Sequence, residues 1–210
     1  MNKVATCVNR IIRSILLLIP VTAVGGTNPA SQPARSVRFM GIEDSSRSTV
    51  FVIDATGSMS TKFNAVRSGL TEAASELSSA QSFNTVFSQM AGFATLSVSL
   101  LPATEENRIK LRTLLSRVRV EGATDPLPAI EAAFAMHPDV IFFVADGDFP
   151  DNDLVQRRFH ELEQGYRIRI NTIALMTHGG DVEFAGVLKR VATQSGGAFR
   201  EVTAESESGH

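Results

Sequence analysis

Three apolar runs along the chain have the length and composition of buried β-strands. They are residues 49–53 (TVFVI), 140–145 (VIFFVA) and 168–175 (IRINTIAL). The first two are apolar throughout rather than alternating, which is the pattern of parallel strands that are covered on both faces. Weaker strand patterns occupy residues 37–40, 83–87, 94–98 and 198–202.

Segments with apolar residues at helical spacing lie between these runs. They are residues 62–79, 105–117, 126–136, 154–164 and 182–194. Pro126 stands at the start of one of them, where its missing N–H removes no hydrogen bond. Strands that alternate with helices predict an α/β fold, with a doubly wound, mostly parallel sheet flanked by helices on both faces. Ligands of such sheets bind beyond the carboxyl ends of the strands.

The two ends of the chain differ from the predicted domain. Residues 1–13 carry Lys3, Arg10 and Arg13 but no acid, and residues 14–26 (SILLLIPVTAVGG) carry no charge. A basic start, a short apolar stretch and small residues are typical of a secretory signal. This apolar stretch is interrupted by Pro20 and is shorter than the ~20 residues that span a bilayer.

We therefore expect residues 1–25 to be a signal peptide and the protein to be exported to the periplasm, the cell envelope or the secreted space. A retained N-terminal membrane anchor is the alternative. Residues 26–36 are rich in Pro, Ser and Ala and are expected to be a linker. The folded domain is expected at residues 37–203, followed by a polar tail at 204–210.

Composition excludes several classes of protein. The chain has 210 residues, which fits one domain, and its formal net charge is −2, so it offers no basic field for nucleic acid or an anionic membrane. Any contact with a membrane is therefore expected only through a retained N-terminal segment. The chain has no Trp and one Tyr, which argues against aromatic stacking platforms. Its single cysteine, Cys7, supports neither a disulfide framework nor a cysteine metal site.

Oxygen-bearing side chains follow the ends of two predicted strands. Asp54, Thr56 and Ser58 come after the first buried run at a spacing of two, and Asp146 follows the run 140–145. Thr124 lies on a loop before a predicted helix. Oxygen ligands from loops that meet at one sheet edge suit a hard divalent cation, of which Mg²⁺ is the expected one and Mn²⁺ or Ca²⁺ are alternatives.

The segments DATGSMS, GATDP and ADGD, in this order, resemble the von Willebrand factor type A domain and its metal-ion-dependent adhesion site. The resemblance covers about residues 37–202 and implies a Rossmann-like fold. It implies hydroxyl ligands from Thr56, Ser58 and Thr124, and it implies that Asp54 and Asp146 hold the metal directly or through water. The neighbouring Asp125 and Asp148 are not carried over.

The stretch GATDPLPAIEAAFAMHPDVIFFVADGDF is similar to compact exported bacterial members of this family. Ala123 and Ala145 stand where the family pattern has Gly and Thr, but neither of these side chains is an expected ligand.

The resemblance implies a non-catalytic, divalent-metal-dependent module for adhesion or assembly, and not an enzyme. In that family an Asp or Glu carboxylate of a protein partner completes the coordination of the metal. The alternative is a phosphotransferase of the haloacid-dehalogenase type, with Asp54 as its nucleophile and Asp146 at the start of its magnesium loop. Such an enzyme needs a lysine near the phosphate. The only lysines between the two aspartates are Lys62 and Lys110, and both fall on predicted helices, so we expect no lysine at the site.

Two structural explanations compete with the metal site. Asp54 can cap a helix, and Asp146 with the following glycine can form an ordinary turn. The histidines have no ligand spacing and are expected to be surface or structural residues; they are His137, His160, His178 and His210.

The first testable prediction is export. Protein recovered outside the cytoplasm should lack about the first 25 residues, because a signal of this kind is removed after translocation. Intact-mass measurement of the recovered protein checks this. A cytoplasmic product that keeps Met1 would contradict it.

Overall fold

The structure is a computed structural model, and it describes residues 34–90, 92–123, 125–147, 149, 151–176 and 182–203. The predicted signal peptide, most of the predicted linker and the predicted polar tail lie outside these residues. Within them, no helix has both the length and the apolar character needed to cross a bilayer.

Six of the strands form the main path of a central sheet. In chain order the strands are β1 (Val37–Phe39), β2 (Ile42–Asp44), β3 (Ser48–Asp54), β4 (Ser82–Gln89), β5 (Gly92–Thr95), β6 (Leu101–Pro102), β7 (Val140–Ala145), β8 (Arg169–Met176) and β9 (Phe199–Thr203). The order across the sheet is β5-β4-β3-β7-β8-β9, and β6 pairs with β4 beside this path. The strands from β4 to β9 along this order are parallel, whereas β5 and β6 are antiparallel to β4.

The helices cover both faces of this sheet. They are a short 3-10 helix (Gly57–Thr61), α1 (Phe63–Glu76), α2 (Glu105–Leu115), α3 (Leu127–Ala135), α4 (Asn152–Tyr166) and α5 (Val182–Ser195). Polar side chains begin two of them, because Thr104 accepts a hydrogen bond from the first turn of α2 and Asp151 accepts one from the first turn of α4. The predicted doubly wound α/β fold is confirmed.

Alternation along β3 and β7 divides the interior into two cores. Phe51 and Ile53 of β3 face the core that is covered by α1 and α2, and Val50 and Val52 face the core that is covered by α3, α4 and α5. All six residues of β7 are buried, as its uninterrupted apolar run predicts. Buried aromatic rings tie the first core together, with the Phe51 and Phe142 rings stacked at 5.5 Å.

The first two strands form a hairpin that the hydrophobic pattern does not predict. The weak strand expected at residues 37–40 is present as β1, but it pairs only with β2, in a separate antiparallel sheet. Met40 and Gly41 make the turn with positive φ angles of 47° and 84°. The hairpin packs onto the first core through Phe39, whose ring lies edge-on to Phe51 at 4.9 Å.

Candidate functional site

The two strands that carry the predicted carboxylates are neighbours in the sheet. β3 and β7 are parallel, with Ile53 level with Val144, so their carboxyl ends meet at one edge. Asp54 is the last residue of β3, and Asp146 directly follows β7. The parallel pairing therefore brings both aspartates to the same edge, as the sequence predicts.

A continuous chain of oxygen atoms joins these two carboxylates. Asp54 Oδ2 lies 3.2 Å from Thr56 Oγ1, which lies 2.8 Å from Ser58 Oγ. Ser58 Oγ in turn lies 2.8 Å from Asp146 Oδ1. The structure thus brings together four of the five predicted ligands. The fifth, Thr124, lies outside the described residues.

When both carboxylates are ionised, the oxygen chain has fewer hydroxyl protons than oxygen–oxygen contacts. The hydroxyls of Thr56 and Ser58 supply two protons, and there are three oxygen–oxygen contacts to satisfy. One pair of oxygens therefore faces each other with lone pairs only. A cation satisfies such a cluster because it needs lone pairs and no protons.

The environment of Asp54 opposes its negative charge. The pKa of Asp54 is raised from its ordinary value of 3.8 to about 6, mainly by burial and in part by the nearby charge of Asp146. Hydrogen bonds from the backbone N–H and the hydroxyl of Thr56 lower this pKa, and the positive charge of Lys62 also lowers it, although less than burial raises it. The edge therefore holds more negative charge than its own donors stabilise.

Lys62 is a member of the site that sequence reasoning missed. Its Nζ donates to Asp146 Oδ2 at 2.6 Å, and the Lys62 side chain is only 7 % exposed. The expectation that no lysine reaches the site is therefore wrong. It failed because Lys62 immediately precedes α1, directly after the 3-10 helix that follows the end of β3, so the predicted start of this helix lies at the site. The eight-residue separation of Lys62 from Asp54, across a glycine-containing turn, was the available signal.

The loop that carries Thr124 contacts the ends of β3 and β4. The Gly57 N–H donates to the carbonyl of Gly122 at 2.9 Å, and the Glu121 N–H donates to the carbonyl of Ala55 at 3.2 Å. On the other side of Thr124, the carbonyl of Asp125 accepts from the Ser88 hydroxyl at 3.4 Å. Gly122 and Asp125, which are described on the two sides of this position, are thus held at the edge that carries the oxygen chain.

The competing structural explanations fit these contacts less well. Asp54 accepts a hydrogen bond from the Thr56 N–H at 2.9 Å, which is a local turn contact. The N-cap residue of the 3-10 helix, however, is Thr56 and not Asp54, and the Thr56 side chain makes no capping hydrogen bond. Both oxygens of Asp146 accept hydrogen bonds across the site, Oδ1 from the Ser58 hydroxyl and Oδ2 from the Lys62 ammonium. The turn explanation therefore leaves the main contacts of Asp146 without a reason.

Other acidic and histidine residues stay outside the oxygen chain. Asp125 accepts from the N–H of Leu127 at 3.0 Å, which is a role at the start of α3. His137 and His160 are exposed, as expected, with the His137 ring against Tyr166 and the His160 ring bonded to Gln164. His178, His210 and Asp148 lie outside the described residues.

The donor set fits a hard divalent cation. Two carboxylates and two hydroxyls offer oxygen alone, which is the chemistry that Mg²⁺, Mn²⁺ and Ca²⁺ prefer. The part of the chain that the structure describes has no cluster of three or more His, Cys, Asp and Glu side chains that could hold a metal. The Lys62 ammonium also lies against Asp146, as a cation that belongs to the protein itself.

Comparison with known structures gives the fold a name. The chain is similar to a von Willebrand factor type A protein from Catenulispora acidiphila, with a TM-score of 0.60 and 19% identity over 80% of this chain and 42% of that one. It is also similar to the SpRpn10 VWA domain (TM-score 0.54, 10% identity, 78% of this chain and 90% of that one). The chain has the von Willebrand factor type A fold.

A third similar structure carries a metal. It is proximal thread matrix protein 1 from the mussel byssus, with a zinc-occupied metal-ion-dependent adhesion site (TM-score 0.54, 15% identity, 83% of this chain). The chain spans 46% of the length of that protein, and less than half of the Catenulispora protein as well. No protein-family profile matches the chain, and no curated protein matches it.

The raised pKa of Asp54 predicts that its charge destabilises the metal-free fold. A carboxyl whose pKa is higher in the folded protein than in the unfolded chain costs stability above the folded pKa, and this cost disappears below the unfolded pKa. At pH 7.5 in chelator, Asp54→Asn should therefore be more stable than the native protein by about 3 kcal/mol, since one pKa unit corresponds to about 1.4 kcal/mol. The amide also supplies the N–H proton that the oxygen chain lacks.

Urea unfolding at several pH values measures this difference. The gain should shrink as the pH falls through about 6 and should be nearly lost at pH 3.5, below the ordinary pKa of 3.8, where Asp54 is mostly protonated in both states. Asp125→Asn, at the same edge but outside the oxygen chain, serves as the control and should show no such pH-dependent gain. A gain for Asp54→Asn that is equal at pH 7.5 and pH 3.5 would refute the assignment.

Proposed function

We propose that this protein is a non-catalytic binding module that recognises a protein partner through a divalent cation held at the carboxyl edge of the sheet. The observation that carries the proposal is the oxygen chain from Asp54 to Asp146. It contains two carboxylates, two hydroxyls and one contact without a proton. The von Willebrand factor type A fold supports it, because this edge is where ligands of open α/β sheets bind.

The proposal assigns a ligand role to each of the five predicted site residues. Thr56, Ser58 and Thr124 would offer neutral hydroxyl oxygens, and Asp54 and Asp146 would offer charged oxygens, directly or through water. A bound divalent cation supplies a Lewis-acidic position that an Asp or Glu carboxylate of a partner can fill. Asp54 must be ionised to bind the cation, so below its pKa of about 6 the entering cation displaces a proton from this carboxyl.

The identity of the metal is proposed from donor chemistry. The donor set is oxygen alone, and we favour Mg²⁺, with Mn²⁺ and Ca²⁺ as alternatives. The mussel byssus protein of similar fold supports occupation of such a motif by a divalent ion, since its structure holds zinc there.

Exposed apolar side chains around this edge support a protein partner. Among the described residues, seven large apolar side chains are exposed, and four of these lie near the carboxyl ends of the parallel strands: Met90, Phe93, Leu154 and Val182. Met90 is 69% exposed just beyond β4, and Val182 is 84% exposed at the start of α5. Methionine and aromatic side chains are enriched in protein interfaces.

The proposed place of action is outside the cytoplasm. The basic and then apolar N-terminus supports export, with removal of the signal or its retention as an anchor. Adhesion or assembly at the cell envelope would suit a module of this kind.

Metal stabilisation tests the proposed site. Mg²⁺ or Mn²⁺ should raise the melting temperature of the native protein, because a ligand that binds only the folded state at 100 times its Kd adds about 2.7 kcal/mol. For a chain of this size this corresponds to a rise of about 5–10 °C. The rise should be absent in Asp54→Ala and present in Asp125→Ala. An equal response of native protein and Asp54→Ala would show that the metal binds elsewhere.

The phosphotransferase alternative gains one observation from the structure. Lys62 reaches the site, and such an enzyme needs a cation there. This ammonium is already bonded to Asp146, however.

A direct assay distinguishes the two functions. We expect no phosphoryl group on Asp54 after incubation with acetyl phosphate and Mg²⁺, as read by intact mass under acidic conditions that preserve acyl phosphates. A stoichiometric adduct that is absent in Asp54→Asn would establish the phosphotransferase instead.

A further inference from the structure

Lys62 is unusual in this protein because it is a charged residue in the interior. Among the described residues it is the only charged one that is buried as a whole. Its side chain is 7 % exposed, and the side chain of its partner Asp146 is 1% exposed. Burial of an ion pair costs stability unless the two charges are very well bonded.

The backbone holds Lys62 in this place. Its N–H donates to the carbonyl of Met59 at 2.9 Å, and its carbonyl accepts from Ala65 at 3.1 Å. The core residues Met59 and Phe63 lie on either side of it in the chain, and they are 0% and 3% exposed. The position of Lys62 is therefore fixed by the junction between the 3-10 helix and α1.

The formal charge of the site depends on this lysine. Asp54 and Asp146 contribute −2 and Lys62 contributes +1, so the site has a charge of −1 without a metal and +1 with a divalent cation. With a neutral residue in place of Lys62, these values become −2 and 0. With the metal bound, the site attracts a carboxylate through its net positive charge when Lys62 is present. It has no net charge when a neutral residue replaces Lys62.

We propose that Lys62 is a resident counter-cation with two opposite effects on this site: it weakens metal binding and strengthens binding of a partner carboxylate. This inference rests on the proposed function, because it concerns the same metal. Without metal, the ammonium compensates the buried charge of Asp146. With metal, its repulsion lowers the affinity for the cation, and its remaining positive charge favours the partner's anion.

A purely structural ion pair would behave differently. Loss of one partner of a buried pair destabilises the protein under all conditions, because the other charge stays uncompensated. If Lys62 and the metal are alternative counter-cations of the same carboxylates, metal must repair that loss. Repair by metal is therefore a readout that a structural role alone would not give.

The experiment compares Lys62→Gln with the native full chain. A matched control is Lys110→Gln, because Lys110 forms a 2.8 Å pair with Glu106 on the exposed face of α2. Free Mn²⁺ is measured by electron paramagnetic resonance during titration with the metal alone. Acetate is then titrated onto the Mn²⁺-loaded proteins, and its entry is followed as loss of water-proton relaxation.

We expect opposite changes in the two titrations. Lys62→Gln should bind Mn²⁺ at least about tenfold more tightly and should bind acetate at least about threefold more weakly, because one positive charge has been removed from the site. In chelator its melting temperature should fall by on the order of 10 °C, and saturating Mn²⁺ should restore it. Lys110→Gln should match the native protein throughout.

Lys62→Arg provides a second variant that keeps the charge. It should stay near the native protein in both titrations, and it folds in chelator if Lys62→Gln does not. Lys62→Gln can also be purified in Mn²⁺ throughout, so that failure to fold without metal does not prevent the measurement.

The outcomes separate this inference from the proposed function. If native protein binds Mn²⁺ and Lys62→Gln binds it equally or more weakly, the counter-cation inference is wrong and the metal site stands. If only Lys62→Gln binds Mn²⁺, the inference stands and the native protein is not a metal-dependent module. If neither protein binds Mn²⁺, both proposals are overturned.

Discussion

The parallel pairing of β3 with β7 is the constraint on which the site depends. Both strands are buried on their two faces, so their register is fixed by side chains that fill two separate cores. A shift of either strand by one residue would exchange the cores and would also separate Asp54 from Asp146. The chemistry of the edge is thus set by the packing of apolar residues that take no part in it.

Burial at this edge also explains why its polar groups are so closely coupled. The carboxylates lie where strands end and solvent is partly excluded, so neither can be satisfied by water alone. The protein uses hydroxyls, a backbone N–H and one ammonium, and together these leave one oxygen contact without a proton. A fully bonded core network would not leave such a contact, so this edge differs from the polar networks of a protein core.

Much of the fold and of the site could be predicted from the sequence because both follow simple periodic rules. An apolar run such as VIFFVA indicates a strand covered on both faces, and oxygen residues directly after such runs must meet at one edge when the strands are parallel. The hairpin β1–β2 could not be predicted in this way, because its short strands depend on a turn with positive φ angles at Met40, a residue that carries no turn signal. Lys62 was missed for a related reason. Five residues of 3-10 helix change the direction of a side chain, and hydrophobic periodicity does not report that change.

The segment around Arg35 and the oxygen chain lie at opposite ends of the parallel strands, and this has a mechanical consequence. Residue Arg35 is bonded to Gln81 at the amino end of β4, whereas the oxygen chain lies at the carboxyl end of β3. Tension applied between a partner on that edge and the segment before residue 34 would run along the strands. β3 and β4 are paired at seven positions, from Ser48 with Ser82 to Asp54 with Ser88. These pairs would then bear the load together in shear, rather than separating one after another. The domain would therefore resist a pulling force that is applied along its strands.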